Sequence, residues 1–154
     1  MINILMDRRI EGHTNLLLNL QPINFSQVAD TYYFALDNSF RHGDESEEKV
    51  ILNIKRLLEC WLDAVKNLGS SEVSYLPFDF SDQYIGCIRV EGVDANNLSV
   101  SYGSTRKFEG SSFRPSQCKQ FVLDPSDYDS TTNSFILKRS SFIRNIKSSI
   151  KRIF

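Results

Sequence analysis

Few side chains in this sequence are of the types that perform acid–base or nucleophilic chemistry. Such catalysis most often uses a histidine, or a nucleophile with a base beside it. The two histidines, His13 and His42, stand in polar surroundings where solvation or a local hydrogen bond explains them. The sequence lacks a serine elbow, a phosphate-binding glycine loop and a zinc-protease motif. We therefore predict a protein that is not an enzyme, and the enzymatic alternative would use His42 with Asp44 or Glu47.

Carboxylates are concentrated in three places, which makes them the candidates for metal binding. These places are residues 44–48, Asp79 with Asp82, and residues 124–129. Hard cations prefer oxygen ligands, but the later two runs lack the glycine and terminal glutamate of a calcium loop. The first run suits the positive end of a helix that begins there. The sequence predicts no metal site and no cofactor.

The three cysteines form neither a metal nor a disulfide pattern. Cys60, Cys87 and Cys118 are odd in number and far apart, which fits neither a disulfide framework nor a close-spaced metal knuckle. We expect three reduced thiols, with Cys60 in a helix and Cys87 in a strand.

Charge is divided unevenly along the chain. The 18 basic and 19 acidic residues nearly cancel, yet every charged residue after Asp129 is basic. This tail carries +6, while residues 1–129 carry −7. Asymmetry of this kind bears on partners and association rather than on the fold.

Length and composition predict one globular domain over residues 1–154. The chain is 41% apolar and 24% charged, as is typical of an ordinary domain with a real core. It has neither a signal-peptide core nor the roughly 20 uninterrupted apolar residues of a membrane span. We expect a cytoplasmic protein with no membrane contact.

One segment has strong helical periodicity. From Ser46 to Leu68, nine apolar side chains recur at steps of three and four residues, which places them on one stripe of a helix. Asp44 followed by Glu47 resembles a capping box, and Gly69 supplies a C-terminal stop. A helix of this kind is stable only when its stripe packs against another element.

The remaining β-rich segments predict a mainly antiparallel sheet packed by that helix, and hence the α+β class. Turn-forming residues 92–97 separate Tyr84–Glu91 from Leu98–Tyr102, so these segments should form a hairpin. Further strand candidates are Leu16–Leu20, Gln27–Leu36, Val73–Phe78, Gln120–Leu123 and Phe135–Leu137. Residues 103–116 and 124–134 have the composition of surface loops.

The basic tail has the pattern of an amphipathic C-terminal helix. Phe142 and three isoleucines share its apolar side, and Arg144, Lys147 and Lys151 lie on another side. Cations beside an apolar stripe can bind phosphate or anionic lipid. A docked helix with a cationic outer face explains the same pattern. A nucleic-acid-binding module that uses these residues and Arg139 is therefore the alternative function.

Without catalysis, the acids near turns are candidates for a recognition surface. Loops at the ends of the predicted hairpin project from a rigid sheet, where acidic and aromatic side chains suit a basic protein partner. Charge complementarity speeds encounter and selects the partner. Ordinary solubilising acids on a sheet rim are the competing explanation. The predicted partner-binding residues are Asp79, Asp82, Tyr84, Glu91, Asp94 and Tyr102.

This chain contains three elements in a fixed order: a helix with a tryptophan, a short strand with an Asp-containing turn, and a hairpin. The three segments are Leu57–Gly69, Pro77–Asp82 and Leu98–Tyr102. In this order they resemble bacterial immunity proteins of contact-dependent growth inhibition systems. The resemblance implies a small cytosolic α+β protein that binds and blocks the C-terminal toxin domain of its own system, commonly a nuclease.

The acidic body agrees with this resemblance. A nuclease must attract phosphate and so tends to present a basic active-site cleft, which an acidic inhibitor could occupy. We therefore expect the partner to be a protein, the cognate toxin domain. A small-molecule substrate, a membrane or a nucleic acid is not expected as a partner in this interpretation.

Overall fold

Two antiparallel sheets and three helices make up the described part of the chain. The computed structural model describes residues 1–7 and 15–153. The first sheet has the order β1 (Ile2–Asp7), β2 (Asn15–Leu20), β3 (Phe25–Asp30). The second sheet contains β4 (Val73–Phe80), β5 (Ile85–Gly92), β6 (Asn97–Thr105), and the short β7 (Asp129–Ser130) and β8 (Phe135–Lys138), which both pair with β6. The helices are α1 (Tyr32–Leu36), α2 (Glu47–Lys66) and α3 (Arg139–Ile153). The predicted α+β class is confirmed.

Helix α2 is the predicted long helix, and it packs against α1, α3 and β4. Of the nine stripe residues, all but the half-buried Ile51 are buried. Burying each such side chain contributes about 1.5–3 kcal/mol. The Ser46 hydroxyl accepts a hydrogen bond from the backbone N–H of Lys49 at 3.2 Å, so Ser46 is the N-cap rather than Asp44.

The hairpin predicted from the turn at residues 92–97 is confirmed, with β5 and β6 paired antiparallel from Ile85↔Thr105 to Gly92↔Leu98. Strand β6 extends through residues 103–105, which the sequence assigned to a loop. Strands β2, β4 and β8 confirm three of the other strand candidates.

Two of the strand predictions are wrong in whole or in part. The segment Gln27–Leu36 is a strand only as far as Asp30 and then turns into α1. The Asp30 carboxylate accepts a hydrogen bond from the backbone N–H of Tyr32 at 2.7 Å, which starts this helical turn despite the β-favouring residues within it. Residues 120–123 form no strand: Gln120 ends the 3₁₀ turn Pro115–Gln120, and residues 121–123 follow it without regular secondary structure.

Helix α3 confirms the predicted terminal helix and covers the edge of β1, a strand the sequence did not reveal. Backbone N–H groups of that edge donate to α3 side chains, from Ile2 to Asn145 Oδ1 at 2.8 Å and from Ile4 to Ser149 Oγ at 3.0 Å. Covering the edge protects it from pairing with another chain. None of the described helices combines the length and apolar character that crossing a bilayer requires.

The prediction of three reduced cysteines is wrong for one pair. A disulfide joins Cys60 in α2 to Cys118 in the 3₁₀ turn, across 58 residues of sequence. Sequence spacing could not reveal it, because tertiary packing brings the two together. Cys87 is a free thiol in β5 as predicted, and burial raises its pKa to about 12.

The disulfide is not the only restraint on its segment. The rings of Phe108, Phe113 and Phe121 pack within 4.4–5.6 Å of one another, centroid to centroid. The buried Asp37 carboxylate accepts the backbone N–H of Ser116 at 2.8 Å. These contacts attach the segment to α1 and its own neighbours without using sulfur.

Arg139 clamps the start of α3 to the end of α2. Its guanidinium donates to the backbone carbonyls of Val65 at 2.8 Å and Leu68 at 2.7 Å. These carbonyls lie at the C-terminal end of α2, where helical partners run out and the helix dipole favours a cation. Arg139 is therefore a structural residue, in contrast to its proposed place on a nucleic-acid-binding face.

We predict that Arg139→Ala lowers the free energy of unfolding by about 1–3 kcal/mol, since it leaves these carbonyls without their charged donor. Urea unfolding followed by circular dichroism measures the change. Arg144→Ala is the matched control, because Arg144 lies exposed on the same helix and donates only to Ser141 Oγ at 3.3 Å. Its effect should stay within about 0.5 kcal/mol. Equal losses in the two variants would contradict the clamp.

Candidate protein-interaction surface

The tight turn between β4 and β5 positions Asp82 and Tyr84. The Ser81 hydroxyl accepts the backbone N–H groups of Gln83 at 3.3 Å and Tyr84 at 3.1 Å, and donates to the Tyr84 carbonyl at 2.8 Å. The Gly110 N–H donates to the Asp82 carbonyl at 2.8 Å. The turn therefore holds both side chains on a fixed backbone, and both are exposed.

Asp79 reaches this surface because β4 is irregular just before it. The pairing of β4 with β5 shifts register between Pro77 and Asp79, which is a β-bulge. Bulges change the direction of the side chains that follow them. Beyond the bulge Asp79 pairs with Gly86, and its side chain is only 8% exposed.

Gly86 leaves room for the Tyr102 ring beneath this position. A Cβ atom at Gly86 would lie 2.1 Å from the Tyr102 hydroxyl and 3.0 Å from the Asp79 Cβ. Only glycine permits that approach. Tyr102 is itself buried, and burial first, then the charge of Asp79, raises its pKa. It therefore lies beneath the surface and is not an exposed contact.

Residues from β3 and α1 complete a cleft that the sequence did not predict. We call it the acidic cleft; its volume is about 540 Å³, and its lining comprises Gln27, Val28, Asp30, Tyr32, Tyr33, Asp79, Phe80, Ser81 and Tyr84. Asp82 stands at its edge, where its carboxylate accepts a hydrogen bond from the Tyr33 hydroxyl. The sequence holds one clue to these additional residues: Asp30 is an acid of the kind that often precedes a helix. The prediction of a strand over Gln27–Leu36 hid this clue.

The cleft is electrostatically negative. Burial, reinforced by the charge of Asp30, raises the pKa of Asp79 to about 6. The hydrogen bond to Asp82 raises the pKa of Tyr33 to about 12, and the charge of Asp79 raises that of Tyr84. None of the described residues that line the cleft is basic. At neutral pH the cleft therefore presents carboxylates beside tyrosine rings.

The structure separates the other two predicted partner-binding residues from this cleft. Alternation along β5 places Glu91 on the opposite face from Gly86, about 17 Å further along the strand. Glu91 pairs with Arg89 at 2.8 Å. Asp94 accepts the backbone N–H groups of Asn96 and Asn97, each at 2.8 Å, so it holds the β5–β6 turn.

The remaining candidates for chemistry do not gather into a site. His42 and Asp44 lie exposed in the segment before α2, and His13 lies outside the described residues. Within residues 1–7 and 15–153, no group of three or more metal-ligating side chains is arranged to hold an ion. Arg144, Lys147 and Lys151 share an outward groove of about 620 Å³ on α3.

Fold and surface together define an α+β domain with a negatively charged, tyrosine-rich cleft. Its structure is similar to a chain of the CdiA-CT/CdiI toxin and immunity complex from Enterobacter cloacae, with a TM-score of 0.52 over 98% of this chain and 99% of that chain. The identity is 13%. No protein-family model and no curated protein matches the sequence. The resemblance to toxin–immunity systems stated from the sequence is confirmed at the level of the fold.

The raised pKa of Asp79 has a consequence for stability. The folded state binds the Asp79 proton more tightly than the unfolded state does, so ionising Asp79 destabilises the fold as pH rises from about 4 to about 6. We predict that Asp79→Asn raises the free energy of unfolding by about 2 kcal/mol at pH 7.5 and has little effect near pH 4. Denaturant titrations across this pH range measure the difference.

Asp94→Asn is the control of opposite sign. Hydrogen bonds from Asn97 and Asn96 lower the pKa of Asp94, so its ionised form stabilises the turn at neutral pH and this stabilisation fades in acid. The variant should lose stability at pH 7.5. If Asp79→Asn is also less stable than the wild type at pH 7.5, the ionised Asp79 carboxylate does not destabilise the folded state.

Proposed function

We propose that this chain is a cytosolic immunity protein that binds the toxin domain of its own system and neutralises it. The toxin is a nuclease, and the acidic cleft with its surroundings covers the basic cleft in which that nuclease binds phosphate. The chain acts by stoichiometric binding and performs no chemistry of its own.

The observation that carries this proposal is the composition of the acidic cleft. Asp30, Asp79 and Asp82 stand together, and none of the described lining residues is basic, in a chain whose first 129 residues carry −7. A protein that binds nucleic acid must be positive where it meets phosphate. A negative surface is suited instead to the protein that competes with phosphate for such a site.

The exposed apolar side chains of the cleft support a protein partner. Val28, Tyr32 and Tyr84 are 53%, 43% and 42% exposed. Tyrosine is enriched where proteins bind one another, because its ring buries a large area and its hydroxyl still finds a partner. The similarity of the fold to a chain of a toxin and immunity complex agrees with this interpretation.

The test begins with the toxin domain encoded beside this chain. We expect tagged protein to recover that domain in a one-to-one complex and to protect cells that express it. Failure of both capture and protection would refute the proposed function.

Variants of the cleft then locate the interface. We predict that Asp82→Lys slows association and that Tyr84→Ala speeds dissociation, each weakening affinity about tenfold or more. Glu91→Lys makes the same charge change on the opposite face and should alter affinity by less than about threefold. Surface plasmon resonance at two salt concentrations separates the two rates. A larger loss in Glu91→Lys than in Asp82→Lys would place the interface elsewhere.

The second candidate function is nucleic-acid binding through α3. The groove that contains Arg144, Lys147 and Lys151 favours it, because none of the described residues lining that groove is acidic. If α3 binds nucleic acid, filter binding should fall steeply with salt, and replacing these three residues by alanine should abolish it. We predict no binding of RNA or DNA even at low salt. Measurable retention by the wild type that the triple variant loses would favour the second candidate.

A further inference from the structure

We propose that the acidic cleft receives one arginine side chain of the partner protein, and that the Asp79 carboxylate is the group it pairs with. This inference rests on the proposed function and makes it more specific. It names the chemical group that the cleft recognises and the residue that anchors it.

Asp79 is a largely buried residue whose carboxylate receives no hydrogen bond from any residue that the structure describes. Its side chain is 8% exposed and lines the cleft, and no described side chain or backbone N–H donates a hydrogen bond to it. Polar groups that are buried in native proteins nearly always have partners, and a buried ion is costly unless it is paired. A donor that enters through the cleft would supply the missing partner.

The nearest charges point the same way. Asp30 acts on Asp79 as a like charge, which disfavours ionisation of Asp79 unless a cation enters beside it. Asp82 is different, because it already accepts the Tyr33 hydroxyl. Asp79 therefore gains most from a cation, and Asp82 attracts that cation at the edge.

The walls of the cleft suit a guanidinium better than an ammonium or a metal ion. Tyr32 and Tyr33 meet edge to face with ring centroids 5.5 Å apart, and Tyr84 lines the same cleft. A planar guanidinium can stack on a tyrosine ring while its N–H groups donate to carboxylates. Within the described residues no set of three ligands is arranged for a metal ion.

The pocket is also preformed by the strands beneath it. The bulge before Asp79 fixes its direction, and Gly86 lets the Tyr102 ring pack beneath it. A rigid site holds its charged group in place before the partner arrives, which reduces the cost of ordering on binding. The ordering cost of binding then comes mainly from the conformational entropy that the arginine side chain loses.

The probe for this pocket is Nα-acetyl-arginine methylamide, added at low salt to isotopically labelled protein and followed by NMR. We expect saturable millimolar binding with shifts centred on Asp79, Tyr33 and Tyr84. The Asp79 carboxyl carbon should titrate at lower pH when the probe is bound, with Asp30, Asp82, Tyr33, Tyr84 and Tyr102 as the other titratable groups that face it. Asp79→Asn removes the charge with little change of shape and should weaken binding about tenfold or more.

Three matched probes decide the identity of the group. Nα-acetyl-norleucine methylamide has an uncharged stem and should not bind. Equal binding of Nα-acetyl-lysine methylamide, or saturable binding of Mg²⁺ at the same residues, would overturn the arginine assignment. Shifts of equal size at distant acids such as Asp124, or unchanged affinity in Asp79→Asn, would show that the cleft is not a pocket for a cation.

The toxin assays keep this inference separate from the proposed function. If the wild type and Asp79→Asn bind the neighbouring toxin equally well, the anchor role of Asp79 fails while the proposed function stands. If the arginine probe binds through Asp79 but no toxin is captured or neutralised, the pocket stands and the proposed function fails. Loss of toxin affinity of about tenfold in Asp79→Asn, beside an unchanged Glu91→Lys, supports both.

Discussion

The hydrogen bond from the Trp61 indole N–H to the Pro77 carbonyl, at 3.1 Å, fixes where α2 meets the second sheet. Pro77 has no N–H to offer and lies on the edge strand β4, the place where a sheet tolerates proline. Its carbonyl would lack a partner under the helix if Trp61 did not donate to it. The Trp61 ring also packs on Phe78, the residue at which β4 bulges. The docking of α2 and the direction of Asp79 therefore depend on the same few side chains.

The fold retains a group at Asp79 that does not favour its stability. Its neighbours in β4, Phe78 and Phe80, are 1% and 3% exposed, so an apolar residue would fit the pattern of the strand better. Natural proteins give up stability mainly where function needs a strained or unpaired group. Asp79 is such a group: it is ionised at neutral pH, lies beside a second acid and packs over a buried tyrosine, as the proposed recognition site requires.

The sequence predicted those elements whose signal is local. Helix α2 has its full period within 20 residues, and the β5–β6 hairpin has its turn chemistry between its strands. Helix α1 has only five residues, too few for a period, and their β-favouring types conceal it. The same limit applies to the cleft. Asp79, Asp82 and Tyr84 are close in sequence and were found together, whereas Asp30 and Tyr33 reach the cleft only through packing. Glu91 was grouped with them by sequence, but alternation along β5 separates it.

The chain carries two surfaces of opposite charge, so the electrostatic force on an approaching charged protein depends on the side from which it approaches. At physiological ionic strength the screening length is about 8 Å, so an approaching protein responds to the nearest surface and hardly to the net charge of −1. Arg139 is held internally by α2, but Arg144, Lys147 and Lys151 remain on the outer side of α3. A cationic partner would be attracted at the acidic cleft and repelled at α3. Repulsion at α3 would thus disfavour binding of such a partner there, while attraction at the acidic cleft would favour binding in that orientation. The two surfaces together would orient the partner better than either surface alone.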